Sequence, residues 1–348
     1  MSMHDTTGVN PSGSIPSVEP YKDRSPGLII FGVMTIMLGC LSGLMAILLV
    51  VEGVVVANTA AAISGSRLLP AMLMYLALAV ALIWLGIGSA MARRWARALL
   101  LIFSWSWLVV GVLAMGVMLC VLPQVFKSAP FPGPAGAGSA AAFGMFFVFA
   151  IVALFFVLVP VVWTFFYQSR HVKATCDARD PVARWTDACP LPVLAVSLWT
   201  LSFAVTTLCM PITGNAVVPF FGTFLTGVPG SLIYVLLTAV WLYSAWSLYR
   251  MEMAGWWMVL ATLSLMTASS IVTFAQRDLM EMYTAMGYSQ LELAQLRKMG
   301  AAMQDSLAWF VSLWAVPWIA YLIYVRRYLG PRPPGPHAPL EVVPPREY

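Results

Sequence analysis

The chain has 348 residues, of which 61% are hydrophobic and only 9% are charged, and its formal net charge is +5. Soluble domains typically contain about 45–50% apolar and about 25% charged residues, so this composition excludes an ordinary soluble enzyme, a disordered regulator and a nucleic-acid-binding protein. It indicates an all-α integral membrane protein with several transmembrane helices.

Eight apolar runs are long enough to cross a membrane, which takes about 20 residues of helix. They are residues 27–51, 69–91, 98–122, 141–167, 191–210, 227–249, 255–275 and 307–325. The first run is too long for the apolar part of a cleavable signal peptide, which has about 7–15 residues. We therefore expect eight transmembrane helices, with the first run retained.

The polar segments between these runs divide the sequence into five regions. We predict a disordered N-terminus (1–26), a first four-helix unit (27–167), a connector (168–190), a second four-helix unit (191–325) and a proline-rich disordered tail (326–348). A shift of 157 residues aligns Trp84 with Trp241 and Pro160 with Pro317. Because four helices per unit is an even number, the two units are expected to be parallel repeats.

Lysine and arginine are distributed unevenly between the two sides of the predicted bundle. The side that carries both termini has 14 of the 19, and cytoplasmic loops are enriched in these residues. We therefore expect both termini in the cytoplasm of a multi-pass protein. Paired four-helix units with short Arg- and Trp-containing turns are common in bacteria, which favours the inner (plasma) membrane. Cys120 and Cys209 would then face the oxidising exterior, which permits a disulfide.

The predicted spans contain no Asp, Glu, Lys, Arg or His. Ionisable residues inside a membrane usually mark proton relays, ion pathways or ligands of a cofactor. Their absence disfavours pumps, ion-coupled transporters, haem-carrying subunits and intramembrane proteases. The sequence also lacks a phosphate-binding loop, a zinc motif and a nucleophile elbow, so we expect neither an enzyme nor a bound cofactor or metal.

Two patterns within the spans are compatible with either packing or function. Gly39 and Gly43 form a small-residue pair that lets helices approach closely, either within one chain or across a homodimer. Thr262, Ser269 and Thr273 share one face of the seventh span because they are spaced by seven and four residues. Such hydroxyls usually bond within the bundle, but the same face would suit a path for a neutral solute.

The connector combines four basic residues, three aspartates, a tryptophan and two cysteines. The two cysteines and the histidine lack the number and spacing of ligands that a structural zinc site needs. We instead expect an ordered, salt-bridged joint between the halves that includes Arg184 and Trp185. Its basic residues would also allow contact with anionic lipid.

The segment 276–306 is predicted to hold one or two amphipathic helices, because leucine and methionine recur in it at three- and four-residue steps. Met282 and Met286 belong to this pattern. Methionine sulfur is a soft ligand for Cu(I), but the chain has 21 methionines in all, so a capping or partner-binding surface is favoured. The proline-rich tail is a second candidate for binding a protein partner.

The sequence therefore predicts a polytopic membrane protein that is a non-catalytic scaffold, complex subunit or sensor acting through its loops. The alternative is a permease for a neutral or apolar solute without ion coupling. An enzyme acting on lipid at the cytoplasmic face is a third hypothesis. The expected partners are the lipid bilayer, a protein bound by 276–306 or the tail, and a second copy of the chain.

Overall fold

The computed structural model describes residues 22–56, 65–128, 137–212, 216–290, 292–294, 296–297 and 307–329. Within these residues the protein is mostly helical, and seven continuous helical stretches are long and apolar enough to cross a membrane. The fold is thus that of a helical multi-pass membrane protein, as the composition predicts.

The first half contains five helices. They are α1 (Ser25–Val56), α2 (Gly65–Ala90), α3 (Arg94–Ser128), α4 (Ala137–Ala153) and α5 (Val159–Gln168). A π-helical turn, Leu154–Leu158, joins α4 to α5, so that the three together form the fourth span. The connector follows as a short helix, α6 (Arg170–Arg179), and a 3-10 turn, Trp185–Asp187.

The second half begins with α7 (Leu191–Ile212) and a small antiparallel hairpin, β1 (Val218–Phe220) and β2 (Thr223–Leu225). The helices with described bounds that follow are α8 (Gly227–Tyr249), α9 (Met253–Gln276), α10 (Leu279–Ala285) and α11 (Leu307–Arg326), and the described residues between 290 and 297 are also helical. The hairpin was not predicted from the sequence. Its two turn residues, Phe221 and Gly222, have φ angles of 38° and 94°, the positive values that tight hairpin turns require.

Seven of the predicted spans correspond to these long apolar helices. The eighth corresponds to α11, whose described apolar part, Val311–Arg326, is shorter. Several helices also extend beyond the apolar runs, so that Glu52 lies in α1 while Arg94 and Arg97 lie in the first turn of α3. The spans are therefore uncharged along their apolar runs, but the helices themselves carry charges at their ends.

Glycines allow α1 and α2 to pack with their backbones almost in contact. A Cβ atom on Gly32 would lie 2.7 Å from the carbonyl oxygen of Gly86, and one on Gly86 would lie 2.6 Å from that of Gly32. Real Cβ atoms essentially never come closer than 3.0 Å to another heavy atom. Small residues at this helix interface are thus required by the packing.

Each half has its own apolar core. The first core includes Leu28, Leu100 and Tyr167, and the second includes Trp241, Trp256 and Leu322. The halves meet where α3 contacts α7, and the indole Nε1 of Trp199 donates a 2.7 Å hydrogen bond to Oγ of Ser106 there. Lipid chains offer no hydrogen-bond partner, so this bond stabilises the contact between the two helices.

The fourth span contains a π-helical turn next to a proline. The amide of Val159 donates to the carbonyl of Leu154, five residues earlier, and Pro160 has no amide hydrogen to bond the carbonyl of Phe156. A Cβ atom on Gly111 of α3 would overlap that carbonyl oxygen and lie 2.8 Å from its carbon. The distortion therefore sits directly against α3, and only glycine fits at this point.

Candidate functional site

The connector is built around one buried carboxylate, Asp180, whose side chain is 2% exposed. Arg184 Nη2 donates to Asp180 Oδ1 at 2.8 Å, and Arg93 Nη1 lies 3.7 Å from the same oxygen. The backbone amide of Arg94 donates to Oδ2 at 3.4 Å. The hydrogen bond from Arg184 is the main cause that lowers the pKa of Asp180, so this carboxyl group is ionised at neutral pH. Asp180, Arg93, Arg94 and Arg184 are called the Asp180 cluster below.

The side chain of Arg94 faces the other two aspartates of the connector. Its Nε lies 3.2 Å from Asp177 Oδ1 and 3.5 Å from Asp187 Oδ2. Asp187 also accepts a 2.9 Å hydrogen bond from the backbone amide of Arg184. These contacts join α6, the 3-10 turn and the start of α3 into one charged unit.

The chain just before α1 is part of the same unit. The amide of Lys22 donates to His171 Nδ1 at 3.4 Å, and that of Arg24 donates to Thr175 Oγ1 at 3.1 Å. The predicted disorder of residues 1–26 therefore does not extend to residues 22–26, which are held against α6. Residues 1–21 lie outside the described residues.

A cavity of about 340 Å³ opens between α3, α6 and the 3-10 turn. It is lined by Arg94, Arg97, Ala98, Lys173, Asp177, Thr186, Asp187, Cys189 and Leu191. We call it the connector cavity. Three buried polar atoms on its wall have no hydrogen-bond partner: Nε of Arg94, which lies near two carboxylates, Nε of Arg97 and Oγ1 of Thr186. Thr186 is only 2% exposed, so its hydroxyl is an unsatisfied group inside a polar, positively charged space.

The connector residues predicted from the sequence have different roles in the structure. Arg184 belongs to the Asp180 cluster, but the side chain of Trp185 is 45% exposed and is not enclosed by the two halves. Trp185 contributes through its backbone, because its carbonyl accepts a 3.0 Å hydrogen bond from Oη of Tyr249 in α8. The central residue, Asp180, was missed, since nothing in the linear sequence distinguishes it from Asp177 and Asp187.

Gly39 and Gly43 face α2 of the same chain. A Cβ atom on Gly39 would lie 2.8 Å from Ile83 Cγ1 and 3.0 Å from the carbonyl oxygen of Ala79, and one on Gly43 would lie 3.6 Å from Ala79 Cβ. Of the two interpretations of this pair, packing within the chain is therefore the one that matches the geometry of α1 and α2.

Two of the three hydroxyls predicted on one face of α9 hold the hairpin in place. The amides of Phe221 and Gly222 donate to Ser269 Oγ and Thr273 Oγ1, each at 3.0 Å. Ser269 in turn donates to the carbonyl of Pro219 at 2.9 Å. Thr262 lies earlier in the same helix and is partly buried. The face anchors a loop, and the structure does not place all three hydroxyls on a common cavity wall.

The helix α10 confirms the prediction of helical structure after residue 276. Leu279, Met280 and Leu293 form a small apolar cluster, against which Met282 packs. Met286 follows the last residue of α10 and is partly buried. Among the predicted disulfide partners, Cys209 is a free thiol, while the side chain of Cys120 lies outside the described residues, as does the tail beyond residue 329.

Among the described residues, no group of three or more His, Cys, Asp or Glu side chains is placed to hold a metal ion. Comparisons of the chain with family models, with curated proteins and with solved structures find no match. Any function of the connector must therefore be inferred from the geometry of its own residues.

Proposed function

We propose that the protein is a non-catalytic scaffold, complex subunit or sensor that acts through the cytoplasmic face of a multi-pass membrane bundle. The observation that carries this proposal is the Asp180 cluster, in which a carboxylate that is 2% exposed binds the side chains of Arg93 and Arg184 and the backbone amide of Arg94. Such an arrangement fixes loop geometry on a membrane protein. A fixed polar surface is what a partner or regulator of the bundle would recognise.

The competing proposal, a permease for a neutral solute without ion coupling, has less support. It relied on the hydroxyl face that the sequence predicts on the seventh span. Ser269 and Thr273 bind the hairpin, and Ser197 donates to the carbonyl of Ala245 at 2.8 Å. Hydroxyls engaged in this way stabilise helix packing and are less available to a passing solute.

The proposal includes eight spans arranged as two parallel four-helix repeats. The helix α11 has 20 residues, enough for about 30 Å of hydrocarbon at about 1.5 Å per residue. Two turns support the repeat, although they correspond at a shift of 159 residues and not 157: Ala92 and Met251 both have positive φ, at 54° and 65°. Each lies in a turn closed by a 2.9 Å bond, from Arg93 N to Gly88 O and from Glu252 N to Ser247 O. The pattern is the same helix-ending motif in both halves.

The proposed orientation places both termini and the connector in the cytoplasm of a bacterial inner membrane. Tags at either terminus should be accessible only from the cytoplasmic side, while a tag inserted within residues 131–139 should be accessible only from outside. The reverse labelling would overturn the orientation and move the connector to the exterior.

The function is tested by two measurements on the full chain. Proteoliposomes should show no uptake of neutral solutes such as glycerol or urea above empty liposomes, with or without a pH or sodium gradient. In native membranes, the protein should migrate as part of a larger complex on a native gel, and Asp180→Asn should dissolve that complex.

Specific variants separate the two proposals. Solute uptake that Thr262→Val abolishes, and that Thr206→Val leaves intact, would favour the permease. Thr206 is a suitable control because it is exposed and donates to Ser202 O of its own helix at 2.9 Å. Uptake together with a lone monomer on the native gel would overturn the scaffold proposal.

A further inference from the structure

We propose that the connector cavity is a binding site for a phosphoryl group, carried either by the headgroup of an anionic phospholipid or by a soluble phosphate compound. The inference goes beyond the scaffold proposal and does not depend on it, since an enzyme or a permease could hold the same ligand. It follows from three features of the cavity wall: unbalanced cations, an unsatisfied buried hydroxyl and the end of a helix.

The cations on the cavity wall outnumber the carboxylates. Arg94 lies close to both Asp177 and Asp187, at 3.2 and 3.5 Å. Within the part of the chain that the structure describes, Arg97 and Lys173 have no carboxylate oxygen within 4.0 Å. An anion between these two side chains would complete the charge balance. Guanidinium groups bind the oxygens of phosphate through short, charge-assisted hydrogen bonds.

The unsatisfied hydroxyl of Thr186 indicates that the anion offers hydrogen-bond acceptors. Thr186 is 2% exposed, and its Oγ1 has no hydrogen-bond partner. Buried polar groups without partners are rare in native proteins and call for a missing ligand or water. The hydroxyl of Thr186 and Nε of Arg97 both have a hydrogen to donate, so the missing group must offer several acceptors. A phosphoryl group offers two unesterified oxygens in a phospholipid diester and three in a monoester, enough to accept from both donors.

The start of α3 adds a third contribution. Arg94 and Arg97 lie in its first turn, where the helix dipole is positive. Their own backbone amides are already bonded, to Asp180 Oδ2 and to the carbonyl of Arg93, so the contribution comes from the dipole. Helix N-termini of this kind bind phosphate in many proteins. The apolar side chains of Ala98 and Leu191 also line the cavity, which gives an acyl or glycerol portion of a ligand a surface to contact.

The size of the cavity fits a small headgroup. Ligand sites in proteins have volumes of about 300–1,000 Å³, and the connector cavity has about 340 Å³. A phosphoryl group with an attached glycerol is within this range. The cavity lies at the end of a span, where a phospholipid headgroup and a soluble phosphate both have access.

The test uses the full-length protein in a neutral detergent and follows thermal unfolding through its tryptophan fluorescence. Two phosphate probes are titrated, each with a matched probe that lacks the phosphoryl group. Dioctanoyl phosphatidylglycerol is compared with dioctanoylglycerol, and inorganic phosphate with chloride at equal ionic strength. We expect at least one phosphate probe to raise the unfolding temperature in a saturable way beyond its control. Stabilisation by phosphatidylglycerol alone assigns the lipid source, and stabilisation by inorganic phosphate as well assigns a soluble source.

Variants of the cavity wall connect the effect to the site. Arg97→Gln and Lys173→Gln should each weaken the apparent affinity about 10-fold or more, since a hydrogen bond to a charged group is lost. Arg250→Gln is the matched control, because it changes a cation in the equivalent turn of the second half, 60% exposed, and should bind like the original protein. Lys173 is exposed, so its replacement keeps the test valid if Arg97→Gln fails to fold.

Thr186→Val separates a binding role from a structural one. Without ligand, this variant should unfold at the same or a higher temperature, because it removes a hydroxyl that has no partner. With the phosphate probe, its stabilisation should be smaller than that of the original protein. The proposal is overturned if neither phosphate probe exceeds its control, or if Arg97→Gln, Lys173→Gln and Thr186→Val all respond like Arg250→Gln.

Discussion

Replacing Gly111 by alanine tests the close contact between α3 and the π-helical turn of the fourth span. The added Cβ would overlap the carbonyl oxygen of Phe156 and lie 2.8 Å from its carbon, so the two segments must move apart. Their separation would also disturb the edge-to-face contact of Trp107 with Phe156, whose ring centroids lie 6.5 Å apart. Overpacking of this kind costs about 1–3 kcal/mol.

The same helix offers a matched control in Gly116, which has nothing within 4 Å of its Cβ position. Alanine is favoured over glycine within a helix by about 0.5–1 kcal/mol, so Gly116→Ala should be neutral or slightly stabilising. The difference between the two variants then isolates the steric cost at Gly111, about 1–3 kcal/mol. Unfolding in mixed micelles with increasing denaturing detergent measures both. If Gly111→Ala proves as stable as Gly116→Ala, the packing of α3 against the π-helical turn is not as described.

Three further predictions concern the connector and the hairpin. The bond from Arg184 lowers the pKa of Asp180. The stability that this carboxylate contributes is therefore present above its ordinary pKa of about 3.9 and is lost as the pH falls below that value. Unfolding followed from pH 7 to 3 should show this loss in the original protein and not in Asp180→Asn. Thr273→Val should speed hydrogen exchange of the Gly222 amide several-fold, in keeping with about 1 kcal/mol per hydrogen bond, and an unchanged rate would contradict the anchoring of the hairpin. Burial raises the pKa of the Cys176 thiol to about 11, so a maleimide should label it only after unfolding, as mass spectrometry of the peptide would reveal; rapid labelling of the native protein would show that α6 is not packed as described.

The helical membrane fold was predictable because a continuous apolar run of about 20 residues has the length and composition of a transmembrane helix. The ends of the helices were not, since Arg94 and Arg97 continue α3 beyond its apolar run. Long basic side chains at a helix end can reach the aqueous interface, so their charge does not mark where the helix begins.

The interior of the connector was beyond prediction for a different reason. Its charged composition predicted salt bridges, and ion pairs do hold it to the start of α3, but the identity of the buried carboxylate depends on residues 86 positions apart in the chain. The hairpin between α7 and α8 was missed because its hydrogen bonds to Ser269 and Thr273 span about 50 positions. Local periodicity carries no information about such contacts.

The distance along the chain between Arg94 and Asp180 also sets an order of events during synthesis. At about 5–20 residues per second, the 86 positions between them take about 4–17 s to translate. During this interval Arg93 and Arg94 have none of the carboxylate partners that the connector later supplies. In the orientation proposed above, their full positive charge then helps to keep the turn on the cytoplasmic side while α2 and α3 insert, since lysine and arginine set orientation and acidic residues contribute little. The aspartates are synthesised after the fourth span, so they pair with these arginines only after α2 and α3 have been inserted.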